Sequence, residues 1–178
     1  MFFKAQLVKD FVLEPRFMGK QIREMVHQRL KEAVEGKLEP NVGYIVTVLR
    51  IGDEWMGKGR IDNMTGGVIY NITYEALVFR PFKNEVVDVI VTEVSNLGYN
   101  GTIGGLVNVF VSRSRMQMEL EDDPSEFEDG AWVSRDRTTA IRKDCHIRLR
   151  LVTVRFYPDS IFAIGDTKGD FCGLLVAV

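Results

Sequence analysis

Only one stretch of this chain repeats its apolar residues at a helical period. From Gly19 to Gly36, the residues Ile22, Met25, Val26, Leu30, Ala33 and Val34 recur at helical spacing. Arg23, Glu24, Arg29, Lys31 and Glu32 fall mostly elsewhere, and Gly36 supplies a stop signal. The other patterned segments alternate at period two or form β-branched runs. A single amphipathic helix must therefore bury its apolar face on a sheet, a two-layer arrangement.

Residues 2–13 mix apolar and polar positions as a strand does, and Pro15 ends that strand because proline offers no ladder donor. After Pro40, apolar runs around 43–51 and 68–79 are separated by Gly52, Gly57, Gly59 and the pair Gly66-Gly67. The order strand, helix, strands predicts an α+β helix-on-sheet domain over residues 1–80. Arg80-Pro81-Phe82 then marks a turn and a boundary, since proline fixes its own φ and pushes its predecessor toward extended geometry.

From 81 to 178 the pattern is strongly β. Strands are expected at 85–94, 97–103, 106–112, 146–156 and 160–164, with Gly98, Gly101, Gly104 and Gly105 between them; the glycines of 101–105 are read as turn residues. Such strands fit a small Greek-key barrel of the OB type, and a β-sandwich fits the pattern nearly as well. Residues 119–129, dense in acid and broken by Pro124, read as a solvated loop whose charge can also keep polyanions off one side.

A chain with 46% hydrophobic and 27% charged residues, and no apolar run near the ~18 residues that suggest a membrane span, reads as folded and soluble. Its start, Met1 to Asp10, carries charge throughout and does not resemble a secretory signal, so the sequons at Asn63, Asn71 and Asn100 read as chance. Cys145 and Cys172 lack the close partners zinc requires; no metal and no cofactor is expected. Gly52, Gly57 and Lys58 fall at P-loop spacing, but Gly59 replaces the magnesium-holding hydroxyl, and Asp53 and Glu54 repel phosphate. His27 lies in the helix and His146 begins a strand, neither within a ligand cluster. Ser112 and Ser114 lack a nucleophile elbow. No catalytic residue is assigned, and the chain is expected not to be an enzyme.

A net charge of −2 makes no global case for nucleic acid, but the distribution makes a local one. The β half holds eleven basic and fifteen acidic residues, and seven of those acids lie in 119–129, leaving eleven basic against eight acidic residues elsewhere. Ile147-Arg148-Leu149-Arg150-Leu151 alternates strictly, placing Arg148 and Arg150 side by side on the outer face. In 106–115, Val107, Val109 and Val111 share one face and leave Phe110 on the other, near Arg113 and Arg115. An exposed aromatic beside guanidiniums can stack a base and neutralise a phosphate. Equally, Phe110 can be buried beneath the long loop or a partner.

Several segments together resemble the seventh-subunit, or stalk, family of DNA-directed RNA polymerase II. They are Phe79-Arg80-Pro81-Phe82-Lys83-Asn84-Glu85-Val86-Val87-Asp88, Phe110-Val111-Ser112-Arg113, Ile161-Phe162-Ala163-Ile164-Gly165 and Asp170-Phe171-Cys172-Gly173-Leu174. Met1-Phe2-Phe3, Glu14-Pro15-Arg16-Phe17 and Val34-Glu35-Gly36 match as well, in the same order along the whole chain. The archaeal E-prime subunit and the subunits of paralogous polymerases are similar.

The resemblance implies an amino-terminal ribonucleoprotein-like domain (1–80) whose tip docks on the polymerase core near the clamp. It implies a carboxy-terminal OB domain (81–178) of the ribosomal-protein RNA-binding type, set near nascent RNA. The tip corresponds to Pro15, Arg16, Phe17 and Gly19, and to Gly57, Lys58, Gly59 and Arg60. The implied partner is the fourth subunit, in the nucleus. In such OB domains an aromatic on the second strand stacks RNA, and its position here holds Asn100. Tyr99 is adjacent. Alternation places it with Leu97 and Ile103 toward the core, whereas a bulge at Asn100-Gly101 would turn it outward. The RNA-contact set is therefore Tyr99, Asn100, Phe110, Arg113, Arg115, Arg148 and Arg150. The rival readings are an independent OB-fold adaptor in translation or RNA decay, or the equivalent subunit of a paralogous polymerase.

Overall fold

Strand β1 (Phe2–Leu13) pairs with β5 (Val68–Phe79) in one unbroken antiparallel register, from Phe2 opposite Phe79 to Leu13 opposite Val68. The computed structural model describes residues 1–116, 126–128, 130–133 and 140–175, and the chain divides into two units, Met1–Arg80 and Pro81–Val178. In the first unit β3 (Gly43–Ile51) flanks β5 on its other side, with register shifts at Ile45/Thr47 and Val48/Arg50. β2 (Leu38–Glu39) ends the sheet beyond β3, and β4 (Arg60–Ile61) pairs with the start of β5.

Helix α1 (Ile22–Val34) covers one face of this sheet. It buries Val26, Leu30 and Val34 completely and Ile22 and Ala33 in part, against Leu13, Ile45, Val48, Ile72, Ala76 and Val78. Each fully buried aliphatic side chain contributes roughly 1.5–3 kcal/mol of transfer free energy, which is why the helix forms despite lacking a side-chain N-cap. Glu24 in its first turn and Lys31 in its last suit the helix dipole, and Glu35, at φ −65° and ψ 140°, leaves the helix one residue before Gly36.

The second unit is a closed barrel. β6 (Val86–Ser95), β7 (Gly98–Ile103) and β8 (Val107–Ser112) form an antiparallel meander, while β12 (His146–Phe156) pairs with β6 and β13 (Ile161–Asp166) pairs in parallel with β8. The β12–β13 pairing closes the ring, so the strands run β6-β7-β8-β13-β12 and back to β6. That closure decides for the OB type over a sandwich. Val87, Val89, Val91, Tyr99, Ile103, Val107, Val109, Val111, Ile147, Leu149, Leu151, Ile161 and Ala163 fill the interior.

Between β8 and β12, the strands β9 (Glu126–Glu128), β10 (Ala131–Val133) and β11 (Ala140–Ile141) form a separate small sheet. Trp132 anchors it, buried to 1% exposure, with its indole N–H donating to the Ser95 carbonyl at 2.9 Å. Most of the acidic run 119–129, including its Pro124, lies outside the described residues. β14 (Gly173–Leu174) pairs with the start of β12.

Candidate nucleic-acid interface and docking end

Phe110 lies on the outer face of β8, between the inward-pointing Val109 and Val111, with Asn100 of β7 and Ile164 of β13 as its register partners. Flanked on both sides, the ring is half-buried rather than fully exposed as the alternation suggested. The neighbouring strand adds a second ring: Phe162, half-buried on the outer face of β13, stands opposite Asn108 on one side and Arg155 on the other. Arg155 reaches this face because β12 shifts register between Leu151 and Thr153. Beyond the shift, Val154 and Phe156 pair with the buried Ala163 and Ile161, and Arg155 turns outward. Uninterrupted alternation from Ile147 would have placed Arg155 in the core. Arg155 was thus missed by pattern reading, since the local period carries no signal of a bulge, whereas Phe162, between the inward Ile161 and Ala163, was legible from alternation but not singled out.

The four arginines expected at this surface are engaged to different degrees. Arg148 and Arg150 share the outer face of β12 as expected, but they do not form a free pair. Arg148 binds Asp88 of β6 in a two-pronged contact, Nε to Oδ1 at 2.6 Å and Nη2 to Oδ2 at 3.0 Å, and this holds the Asp88 carboxyl below its usual range. The Arg150 guanidinium rests against Gly169, where an added Cβ would lie 3.0 Å from Nη2. Arg113 sits over the Trp132 ring at 5.2 Å, and Arg115 approaches Asp166 at 3.6 Å.

Tyr99 is corrected from the contact set. Its side chain is fully buried, and burial pushes its phenol well above the ordinary range. Asn100-Gly101 makes neither a turn nor a bulge; the shift lies instead on the partner strand, between Val91 and Glu93. Gly101 is a mid-strand residue whose added Cβ would collide with a Val89 methyl and lie 2.9 Å from the Ile90 carbonyl oxygen. Gly104 and Gly105, at φ +57° and +73°, are the turn residues. Leu97, expected with Tyr99 toward the core, is 71% exposed in the turn that precedes β7. Asn100 faces out and its amide lies 3.5 Å from Glu93.

In the first unit, the segments expected to dock come together at one end of the sheet. Leu13 ends β1 opposite Val68, and Pro15–Phe17 forms a single 3-10 turn directly after it. Arg16 and Arg29 flank the Phe17 ring at 4.6 and 4.7 Å. The segment bearing Gly57, Lys58, Gly59 and Arg60 returns to β5 through β4, and Pro15 lies against Gly66. Trp55, 3% exposed and edge-on to Tyr70 at 5.0 Å, roots this loop in the core. Asp53 ties it to α1 through the Arg23 guanidinium, with the His27 imidazole at 4.0 Å. Burial, then Arg23, lowers the His27 pKa. Pro15, Arg16, Gly19 and Gly57 through Arg60 are all exposed, and Phe17 is half-buried.

The sequence reading missed the apolar residues that crown this end. Met18, Met56, Ile61 and Met64 are 40%, 46%, 66% and 95% exposed. Met18, Met56 and Met64 sit in non-periodic loops and Ile61 in the two-residue strand β4, too short for a pattern to mark an apolar residue as surface. Their segments meet at this end of the sheet, β4 beside the start of β5 and Pro15 against Gly66.

A sequence profile for the SHS2 domain found in the N terminus of Rpb7p/Rpc25p/MJ0397 matches residues 13–66, the segment that holds α1 and the loops expected to dock. DNA-directed RNA polymerase II subunit rpb7 of Dictyostelium discoideum is 34% identical over 175 residues, covering 98% of this chain and 99% of the relative. Subunit 7 of Arabidopsis thaliana is 34% identical over 178 residues, covering 98% and 97%. Subunit RPB7 of Glycine max is 35% identical over 178 residues, with the same coverage. With a helix-on-sheet unit, an OB-type barrel and similarity running end to end, the chain belongs to the subunit 7 family of DNA-directed RNA polymerase II.

Proposed function

We propose that this chain is a non-catalytic stalk subunit of nuclear RNA polymerase II. It docks on the core enzyme near the clamp through the exposed end of its first unit, pairs with the fourth subunit, and holds nascent single-stranded RNA on the outer face of its barrel. The observation that carries the docking role is the apolar crown of Met18, Met56, Ile61 and Met64. It surrounds the loops that the family resemblance assigns to the tip.

The RNA role rests on Phe110 and Phe162, with Asn100, Asn108 and Arg155 between and beside them in register. Rings at the surface beside amides and one guanidinium suit base stacking without sequence preference. Glu93 and Asp88 on the same barrel keep the attraction weak and dependent on salt.

The test is affinity purification of the tagged chain from cells. Wild type is expected to bring down polymerase subunits, and Ile61→Asp with Met64→Asp to lose them while the isolated protein stays folded. Recovery of wild type alone, without polymerase subunits, would overturn the assignment.

A further inference from the structure

We propose that Phe171, with Arg150 and Lys168, forms a second contact for single-stranded RNA on the barrel, separate from the Phe110 face. The inference rests on the RNA-binding reading of this domain and extends the path of the strand. Phe171 has two properties that rarely coincide. Its side chain is 91% exposed, and its backbone lies at φ +63°, a left-handed conformation costly for a bulky L-residue. Glycine would sit there without strain.

The loop that presents the ring is firmly held. Thr167, 3% exposed, donates both its backbone N–H and its hydroxyl to the Arg115 carbonyl at 3.0 Å. The Lys168 N–H donates to Asp166 at 3.0 Å, the Cys172 N–H donates to the Gly169 carbonyl at 3.1 Å, and Cys172 is buried. A fixed loop that keeps an aromatic ring outward at a backbone cost fits a site built for contact.

The surroundings favour a nucleic acid over an apolar protein surface. From 166 to 170 the chain reads Asp-Thr-Lys-Gly-Asp, so the segment leading into the ring is polar. The Arg150 guanidinium packs directly on Gly169, two residues away, and Lys168 is exposed. Of the nearby acids, Asp166 faces Arg115 and the Lys168 N–H, and Asp88 is held by Arg148. Asp170 is exposed beside the ring. A ring on the same loop as Lys168 and the Gly169 that Arg150 packs on can take a base on its face while the two cations meet neighbouring phosphates.

The experiment titrates labelled oligouridylate at low salt into the full-length chain and its Phe171→Gly, Phe171→Trp and Phe110→Ala variants. Phe171→Gly removes both ring and strain. It is expected to unfold at the wild-type temperature or higher and to bind about tenfold more weakly, with Phe171→Trp binding as wild type. Wild-type affinity in Phe171→Gly, with loss in Phe110→Ala, would overturn this site and leave the RNA reading intact. No oligouridylate binding by wild type would overturn both. Loss of polymerase subunits from Phe171→Gly pull-downs, with RNA affinity unchanged, would reassign the ring to a protein contact and overturn the proposal.

Discussion

The carboxylate of Glu35, one residue past the end of α1, accepts the backbone N–H of Val48 at 2.8 Å and the hydroxyl of Thr47 at 2.9 Å. Val48 lies between the two register shifts of β3, so a side chain supplies the acceptor where the strand ladder is irregular. The helix end and the strand are thereby joined at one carboxylate.

These hydrogen bonds, the Val48 one foremost, lower the Glu35 pKa. Because the folded value lies below the unfolded one (about 4.3), the contribution is fully present above that unfolded value and is lost as pH falls through the folded value. Glu35→Gln is expected to cost about 1–2 kcal/mol at neutral pH and to flatten the acid limb of the stability profile. Urea unfolding between acid and neutral pH measures both; parallel profiles for the two proteins would contradict the assignment.

The Tyr99 hydroxyl is buried and has no hydrogen-bond partner among the described residues. Tyr99→Phe is therefore expected to match or exceed wild-type stability, since no bond is broken and a desolvated polar atom is removed. Tyr99→Ala should cost about 3–5 kcal/mol through the cavity it leaves. On the same strand, Gly101→Ala should cost roughly 1–3 kcal/mol by forcing β6 and β7 apart. Denaturant midpoints for the three variants separate core packing from an RNA role, because a surface Tyr99 would tolerate alanine.

Asp88 occupies the Arg148 guanidinium. Asp88→Asn is expected to leave stability nearly unchanged, since exposed ion pairs are screened, and to free Arg148 for phosphate. RNA affinity at low salt should rise, and the slope of log affinity against log salt should steepen by about 0.7, one phosphate's share on a single strand. Titrations across a salt series report this directly; an unchanged slope would place Arg148 off the RNA path.

What the sequence by itself determined is which face of its own element each periodic residue takes. The helix of Val26, Leu30 and Val34 formed where the 3.6 period ran. The five expected strands of the second unit fell within two residues of their expected ends, while the short β9, β10, β11 and β14 were not expected, and Val107, Val109, Val111, Ile147, Leu149 and Leu151 turned inward as alternation required. The tertiary structure decided what stands opposite. Arg148 met Asp88, sixty positions away, because β6 and β12 close the barrel. A bulge set by β13 carried Arg155 to the surface, and the approach of β6 to β7 excluded any side chain at 101. Met18, Met56, Met64 and the strained outward ring of Phe171 lie in loops without a period, and Ile61 in a strand of only two residues. Periodicity is a local property and reports one strand at a time, whereas register, bulges and loop exposure come from pairing between distant segments.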